Sequence, residues 1–412
     1  MQRWLKFVKY LPEFGIQPWV VTVDPVHAWY PQTDQSLEKD VSPEVKVFKT
    51  RSFEFLKVIS RIFGKKKVAY GGFTNVDKKN PLQVLLRFIR GNFFIPDARV
   101  GWSGHAFRKA RKLIIDNGID TVITTGPPHS THLTGLKLQK ELNIKWIADF
   151  RDPWTDIFYY SDMLHTPVAR KLDIRKEKKV LNSANRVIAV NNTVGNLLGR
   201  KVEEKQQGKI TIITNGFDED DFSFTISQEK EFVITYSGII SGSYKPGIFF
   251  SALSDAVKKH PEITFKFRLA GNLSPDIEEE IRRYGLVDIF EYRGYVNHQE
   301  LLQLLKSSTA LLYVFPETIK YSGTSGKLFE YLAACRPIIA IDTANSEASA
   351  IIDECEAGKS FTRDDQEGVR DYFELLLNEY KNAGEVRSGN GLYINYSRRK
   401  LTGRLSRLIA DL

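Results

Sequence analysis

The sequence predicts an α/β protein built from two doubly wound, Rossmann-like domains in tandem. Three observations carry this expectation. At 412 residues the chain is longer than one hydrophobic core usually serves and fits two domains of about 200 residues each. Short apolar runs alternate with helical patterns along most of its length, as βαβ units and their parallel sheets require. An acidic, polar stretch from Asp218 to Glu231 divides that alternation into two series and reads as a linker.

The first element is a helix over Gln2–Leu11, with Trp4, Val8 and Leu11 on one side and Pro12 to Gly15 ending it. A strand follows at Trp19–Val23. A doubly wound domain ordinarily opens with a strand and a ligand-facing loop, so that strand and loop are expected to be missing from the first domain. After a basic segment, strands are predicted at Thr121–Thr125, Lys145–Asp149, Arg186–Val190 and Ile210–Thr214. Helices fall near His132–Leu142, Ala169–Ser183 and Thr193–Leu198, and Asn215-Gly216 is a turn signal. The second series opens with the strand Phe232–Ser237 and a polar loop holding Gly238, Ser241 and Lys245. It continues with helix Gly247–Lys259, strand Thr264–Ala270, helix Pro275–Tyr284, strand Ile289–Arg293 and helix Gln299–Ser307. Helices near Gly368–Asn382 and Ser397–Leu412 end the chain.

Between these lies Ser322 to Asp342, S-G-T-S-G-K-L-F-E-Y-L-A-A-C-R-P-I-I-A-I-D, flanked by the apolar runs Thr309–Phe315 and Pro337–Ile341. Leu328, Leu332 and Cys335 recur at helical spacing, so strand, loop, short helix and strand are expected. Thr324 or Ser325 can cap that helix, and Gly326 lets a ligand approach its backbone. Free amides and the positive end of the helix dipole favour an anion there. Lys327 and Glu330, three residues apart, share a face. A cation suits phosphate oxygens, and a carboxylate one turn deeper suits vicinal ribose hydroxyls. The same spacing also fits an ordinary capped helix with a solvated surface pair.

Two cysteines, Cys335 and Cys355, exclude a disulfide framework and a cysteine-rich metal site, and fit a reducing cytoplasm. No apolar run approaches the ~20 residues that span a bilayer. The net charge of +9 is uneven: residues 46–112 hold 17 Lys or Arg against Glu54, Asp77 and Asp97, a local +14 that leaves −5 elsewhere. Aromatic residues interleave with those cations, including Phe53, Phe63, Phe88 and Phe93. Such a segment suits an anionic membrane surface or a lipid-phosphate acceptor, and equally a solvated face around core aromatics. No zinc-finger spacing or RNA-binding signature supports a nucleic-acid partner.

Several stretches together resemble the retaining glycosyltransferases of family 4, which have the GT-B fold. They are Q-R-W-L-K-F-V-K-Y-L-P-E-F-G, G-P-P-H-S-T-H-L, W-I-A-D-F-R-D-P-W, I-T-N-G-F-D, Y-S-G-I-I and G-K-L-F-E-Y-L-A, in that order over nearly the whole chain. The resemblance implies an acceptor-side domain at 1–220, a nucleotide-sugar domain at 221–392, and a last helix, 393–412, returning to the first. It implies that Glu330 is the second carboxylate of the family's Glu-x7-Glu motif and holds the ribose. The first carboxylate would fall at Ser322, which leaves Ser322, Gly323 and Thr324 to meet the sugar. Lys245 and Lys327 would stabilise the departing diphosphate. Gly238 would permit close approach of ligand to backbone, and Tyr295 and Val296 would hold the base through the main chain. Thr324, Ser325 and Gly326 would complete the donor site.

On the acceptor side, Asp149, Arg151 and Asp152 sit at a strand's C-terminal end, where α/β sites gather. Asp152 would orient an acceptor hydroxyl or sugar, with Arg151 on it or on phosphate, although an Arg–Asp pair holding the loop is an equal reading. His129 and His132 are expected to line or pack that region. No D-x-D motif is placed, so metal-independent transfer is expected, with no cofactor and with the nucleotide-sugar as substrate. The expected activity is hexosyl transfer to a glycan or lipid-linked acceptor, from the cytoplasm or the inner membrane face. A nucleotide-sugar-binding protein without transferase activity is the alternative, and a sugar-nucleotide epimerase a weaker one.

Overall fold

A computed structural model describes residues 2–28, 30, 40–54, 57, 80–317 and 324–412. Ser322, Gly323 and part of the basic segment lie outside the described residues. The chain divides into two compact units. One holds Val8–Thr214 and Thr402–Leu412, the other Met1–Phe7 and Asn215–Leu401.

In the first unit, β1 (Trp19–Val23) pairs in parallel with β2 (Lys46–Thr50). A separate parallel sheet runs β3 (Thr121–Gly126), β4 (Lys145–Phe150), β5 (Arg186–Ala189) and β6 (Ile210–Ile212) in that order. Its helices are the end of α1 (Gln2–Tyr10), then α2 (Pro81–Phe93), α3 (Ser103–Asn117), α4 (Ser130–Leu142), α5 (Pro167–Ser183) and α6 (Asn192–Gly199). β4 is buried from Trp146 onward, as a central strand covered on both faces must be. Helix α4 approaches it at Gly135, where a β-carbon would stand 2.3 Å from the Trp146 indole nitrogen. Asn80 caps α2 and Thr166 caps α5, each followed by a proline at the first helical position.

The basic segment carries β2, α2 and α3 in addition to its charge. Helix α2 hides its period from sequence reading because it is inverted. It buries Gln83, Arg87 and Gly91 and exposes Val84, Leu85 and Phe88. Arg87 donates to the Asp162 carbonyl (2.7 Å), and a β-carbon at Gly91 would collide with the Met163 carbonyl at 2.1 Å.

The second unit has one six-stranded parallel sheet. In chain order it contains β7 (Phe232–Ile240), α7 (Gly247–Lys259), β8 (Phe265–Leu273), α8 (Pro275–Arg283), β9 (Phe290–Gly294) and α9 (His298–Ser307). It continues with β10 (Ala310–Val314), α10 (Gly326–Ala334), β11 (Ile338–Ile341), α11 (Glu347–Glu354), β12 (Gly358–Phe361) and α12 (Gln366–Ala383). Helix α13 (Arg398–Ala410) begins in this unit and ends in the other. The strand order is β12-β11-β10-β7-β8-β9, so the chain reverses direction across the sheet between β7 and β10. Ligands of open α/β sheets bind outside the carboxyl ends of the strands at such a switch point. Alternate residues feed two cores: Leu312 and Val314 pack with Phe249 and Phe267, while Leu311 and Tyr313 pack with Leu328 and Phe329.

Strand β7 corrects the sequence reading, which ends it at Ser237 and puts Gly238 in a loop. The strand continues to Ile240 because β8 continues beside it, pairing Gly238 with Gly271 and Ile240 with Leu273. Gly271 has φ +144, and a β-carbon there would lie 2.1 Å from the Gly238 carbonyl oxygen, so only glycine permits the extension.

Candidate functional site

The carboxyl ends of β7 and β10 and the start of α10 converge in the second unit. Ser325 occupies the N-cap of α10, but its hydroxyl makes no capping bond, which corrects the expected cap. The Ser325 hydroxyl oxygen is buried beside the Tyr313 phenol and has no well-formed hydrogen bond among the described residues. Its backbone N–H donates at 3.4 Å to the phenol of Tyr313 on β10. Thr324 is half-buried and Gly326 is exposed, with open space where a side chain would stand. The first turn of α10 therefore keeps amides and a hydroxyl unspent beside the positive end of its dipole.

Lys327 leaves that turn toward β7. Its ammonium donates to the Tyr236 phenol oxygen at 2.9 Å and stands 4.3 Å from the centre of that ring. The Tyr236 proton is already given to the Ile239 carbonyl at 2.7 Å, so its oxygen is free to accept. Gly238, φ +102, is at the same place, and a β-carbon on it would lie 3.3 Å from the Lys327 nitrogen. Burial pushes the Lys327 ammonium down to about 7, with Glu330 pulling the other way. A half-buried cation whose partner is a phenol rather than a carboxylate is short of negative charge, and a phosphate oxygen would supply it.

Glu330, one turn on, does not pair with Lys327. Its carboxylate meets Nε2 of His298, the first residue of α9, at 3.1 Å. That bond to Glu330 holds the imidazole above its ordinary value. His298 also feels Asp221, one of two carboxylates that hold the buried Lys6 ammonium, with Asp218 at 2.6 Å and Asp221 at 3.0 Å. Sequence reading missed His298, Tyr236 and Tyr313. No local signal marks them, because non-adjacent elements bring them to α10.

The other predicted donor residues lie farther out. Lys245 follows Tyr244, whose hydroxyl bonds to Tyr236, but it is exposed and its ammonium pairs with Glu317. Tyr295 is exposed and Val296 half-buried in the turn between β9 and α9.

In the first unit the predicted acceptor-side residues lie at the carboxyl ends of β3 and β4, where Asp149, Arg151 and His132 meet neighbouring groups while both His129 ring nitrogens are buried without a hydrogen bond among the described residues. Asp149 is fully buried and accepts the Thr125 hydroxyl at 2.7 Å. The Arg151 guanidinium donates to the Pro127 carbonyl, and its backbone N–H to that of Gly126 at 2.9 Å. Trp146 donates to the Thr124 hydroxyl at 2.8 Å, and the same hydroxyl meets His132 Nδ1 at 2.8 Å. Burial lowers His132 to about 3, and His129 falls well below its ordinary value for the same reason. Both rings are neutral and packed, His132 on Phe150 at 4.4 Å and His129 parallel to Trp154 at 5.0 Å.

Helix α5 fixes the loop that follows. Its buried Asp173 accepts from the Trp154 indole and the Tyr160 phenol, each at 2.9 Å, and its buried Glu177 takes Lys201 at 2.7 Å. Asp152 remains half-buried, its carboxyl raised by burial against the pull of Arg151. Its neighbour Tyr159, unmarked in the sequence, is pushed up to about 12 by burial and by Asp152.

Two α/β units built on parallel sheets, one with a cation and the start of a helix at its switch point, have the architecture of the GT-B class of glycosyltransferases. Residues 4–221 match the model of Glycosyltransferase Family 4, and residues 231–379 match that of Glycosyl transferases group 1. The chain belongs to Glycosyltransferase Family 4. No curated protein matches it.

Solved structures agree on the fold. A glycosyltransferase from Rickettsia africae ESF-5 is similar with TM-score 0.55 and 15% identity, over 100% of this chain and 89% of that one. A sucrose-phosphate synthase from Thermosynechococcus elongatus gives 0.58 and 14%, over 98% and 91%. The apo form of the lipopolysaccharide outer core galactosyltransferase WaaB gives 0.51 and 13%, over 92% and 86%. Among the described residues no helix is long and apolar enough to cross a membrane.

Proposed function

We propose that this glycosyltransferase moves a hexosyl group from a nucleoside-diphosphate sugar to a glycan or lipid-linked acceptor, with retention at the anomeric carbon and without a metal ion. The observation that carries the reading is Lys327, a half-buried ammonium held among the described residues by a phenol, beside the hydroxyl and amides of the α10 start.

In this reading the diphosphate lies against Ser325, Gly326 and Lys327, and Gly238 leaves it room. Glu330, aimed by His298, accepts the ribose hydroxyls. Thr324 faces the sugar, Tyr295 and Val296 hold the base, and Lys245 exchanges Glu317 for phosphate. Charge on the leaving diphosphate grows as the glycosidic bond breaks, so Lys327 and the amides stabilise the transition state more than the ground state. Asp152 orients the acceptor hydroxyl, with Asp149, Arg151 and His129 shaping its surroundings. The leaving phosphate itself takes the acceptor's proton.

The enzyme works at the inner face of a membrane, held there through cations and aromatics that include those of residues 46–112. Incubation with a panel of UDP-, GDP- and ADP-sugars and membrane lipid extract tests the activity. Released nucleotide together with a glycosylated product is expected. Donor binding without turnover on any acceptor would instead make the protein a nucleotide-sugar binder.

A further inference from the structure

Two surface features of the first unit serve neither sheet mouth. The first is the outward face of α2. Amphipathic helices normally bury their apolar stripe, yet here Leu85 is 54% exposed, Phe88 40% and, at the helix end, Phe93 74%. The second is α5, P-V-A-R-K-L-D-I-R-K-E-K-K-V-L-N-S. Both of its carboxylates, Asp173 and Glu177, are buried and engaged, whereas Arg170, Lys171, Arg175, Lys178 and Lys179 are exposed. Its outward side is therefore cationic with no acidic partner among the described residues, and Val168 and Leu172 stand exposed among the cations.

The two helices adjoin. The Asn92 amide donates to the Leu164 carbonyl at 3.0 Å, its oxygen accepts the Thr166 N–H at 2.8 Å, and Lys176 reaches the Ile95 carbonyl at 2.8 Å. A hollow lined by His165, Pro167, Arg170, Lys171 and Ile174 opens beside the junction. Exposed apolar side chains next to an unrelieved row of cations match the two layers of one partner, acyl chains below and anionic headgroups above. An acidic protein would satisfy the cations and leave Leu85, Phe88 and Phe93 without a matching surface.

We propose that the outward faces of α2 and α5, joined at Asn92 and Thr166, dock the protein on an anionic lipid bilayer. This rests on the membrane-side role proposed above and narrows it. Within α2 Arg87 is turned inward to Asp162, so the outward face of that helix is apolar and the cations beside it among the described residues come from α5.

Vesicle flotation of the full chain tests it without any sugar donor, so a failed transferase reading leaves the result intact. Vesicles of phosphatidylcholine with phosphatidylglycerol should carry the protein, pure phosphatidylcholine vesicles should not, and salt should weaken the binding. Arg170→Glu with Lys171→Glu and Arg175→Glu should lower partitioning by about tenfold or more. Leu85→Ser with Phe88→Ser should weaken what survives at high salt. Both variants should keep the wild-type unfolding temperature and should turn over a water-soluble acceptor normally. Equal binding to neutral and anionic vesicles, or unchanged partitioning of both variants, would overturn the proposal. A chain that stays off vesicles and sediments as a dimer dissolved by Leu85→Ser with Phe88→Ser would assign the face to a second copy instead.

Discussion

At the carboxyl end of β4 the first unit buries neutral rings, with both His129 nitrogens and His132 Nε2 unbonded among the described residues, whereas at the ends of β7 and β10 the second unit holds a cation against a phenol. His129 and His132 are neutral and stacked, Asp149 holds Thr125, and Arg151 holds the Pro127 carbonyl. By contrast Lys327 is a cation with a neutral phenol for a partner, beside a Ser325 hydroxyl that is buried with none among the described residues. Residues that a motif places side by side thus divide into two kinds. Neutral rings packed on aromatics suit a wall, whereas a cation without a counter-ion suits an anionic ligand. An ion already neutralised by a carboxylate attracts an incoming anion less than one held by a neutral oxygen.

The sharpest way to break that contrast is Lys327→Met. It should cost roughly 2–3 kcal/mol of nucleoside-diphosphate affinity, the range for a charged hydrogen bond, with little change in unfolding temperature. Calorimetric titration reads it. Next, Glu330→Ala should weaken donor binding by roughly 1–3 kcal/mol, and affinity unchanged in the same titration would remove its ribose role.

The pH dependence has a definite sign. Burial holds Lys327 at about 7 in the free protein, and a bound diphosphate restores its charge. Above that pH, binding must take up a proton. Donor affinity should therefore be level well below pH 7 and fall by about fivefold between pH 7 and 8. Lys327→Arg, charged throughout, should flatten the profile. His298→Gln should cost less, about 1 kcal/mol, because it only aims Glu330.

The smallest effect belongs to the first unit. Burial raises the Asp173 carboxyl from 3.8 to about 6. A carboxyl that holds its proton more tightly when folded contributes stability that is lost as pH climbs from 3.8 through 6. Thermal unfolding followed by tryptophan fluorescence should fall slightly from pH 5 to 7, and Asp173→Asn should remove that part of the slope.

The same contrast explains what was legible in the sequence. Lys327 and Glu330 lie within one helical turn, so their spacing puts both on one helix near an expected anion site, and the alternation of strands and helices announces the two larger sheets. His298, Tyr236 and Tyr313 reach α10 from 32, 91 and 12 residues away, and only the folded sheet makes them neighbours. Gly238 looked like a loop residue because its strand depends on Gly271 in the next one. Helix α2 escaped because Arg87 faces in and Phe88 faces out, the reverse of what periodicity assumes. The His129 and His132 packing role could be anticipated, but the Asp173–Trp154 bond that stiffens it could not.

The central claim is that Lys327 receives the donor's diphosphate. Titration calorimetry at pH 6.5, with the nucleoside diphosphate that the donor panel selects, should give at least about thirtyfold weaker binding for Lys327→Met than for the wild type. Equal affinities in two equally folded proteins would contradict it and move the anion site away from the start of α10.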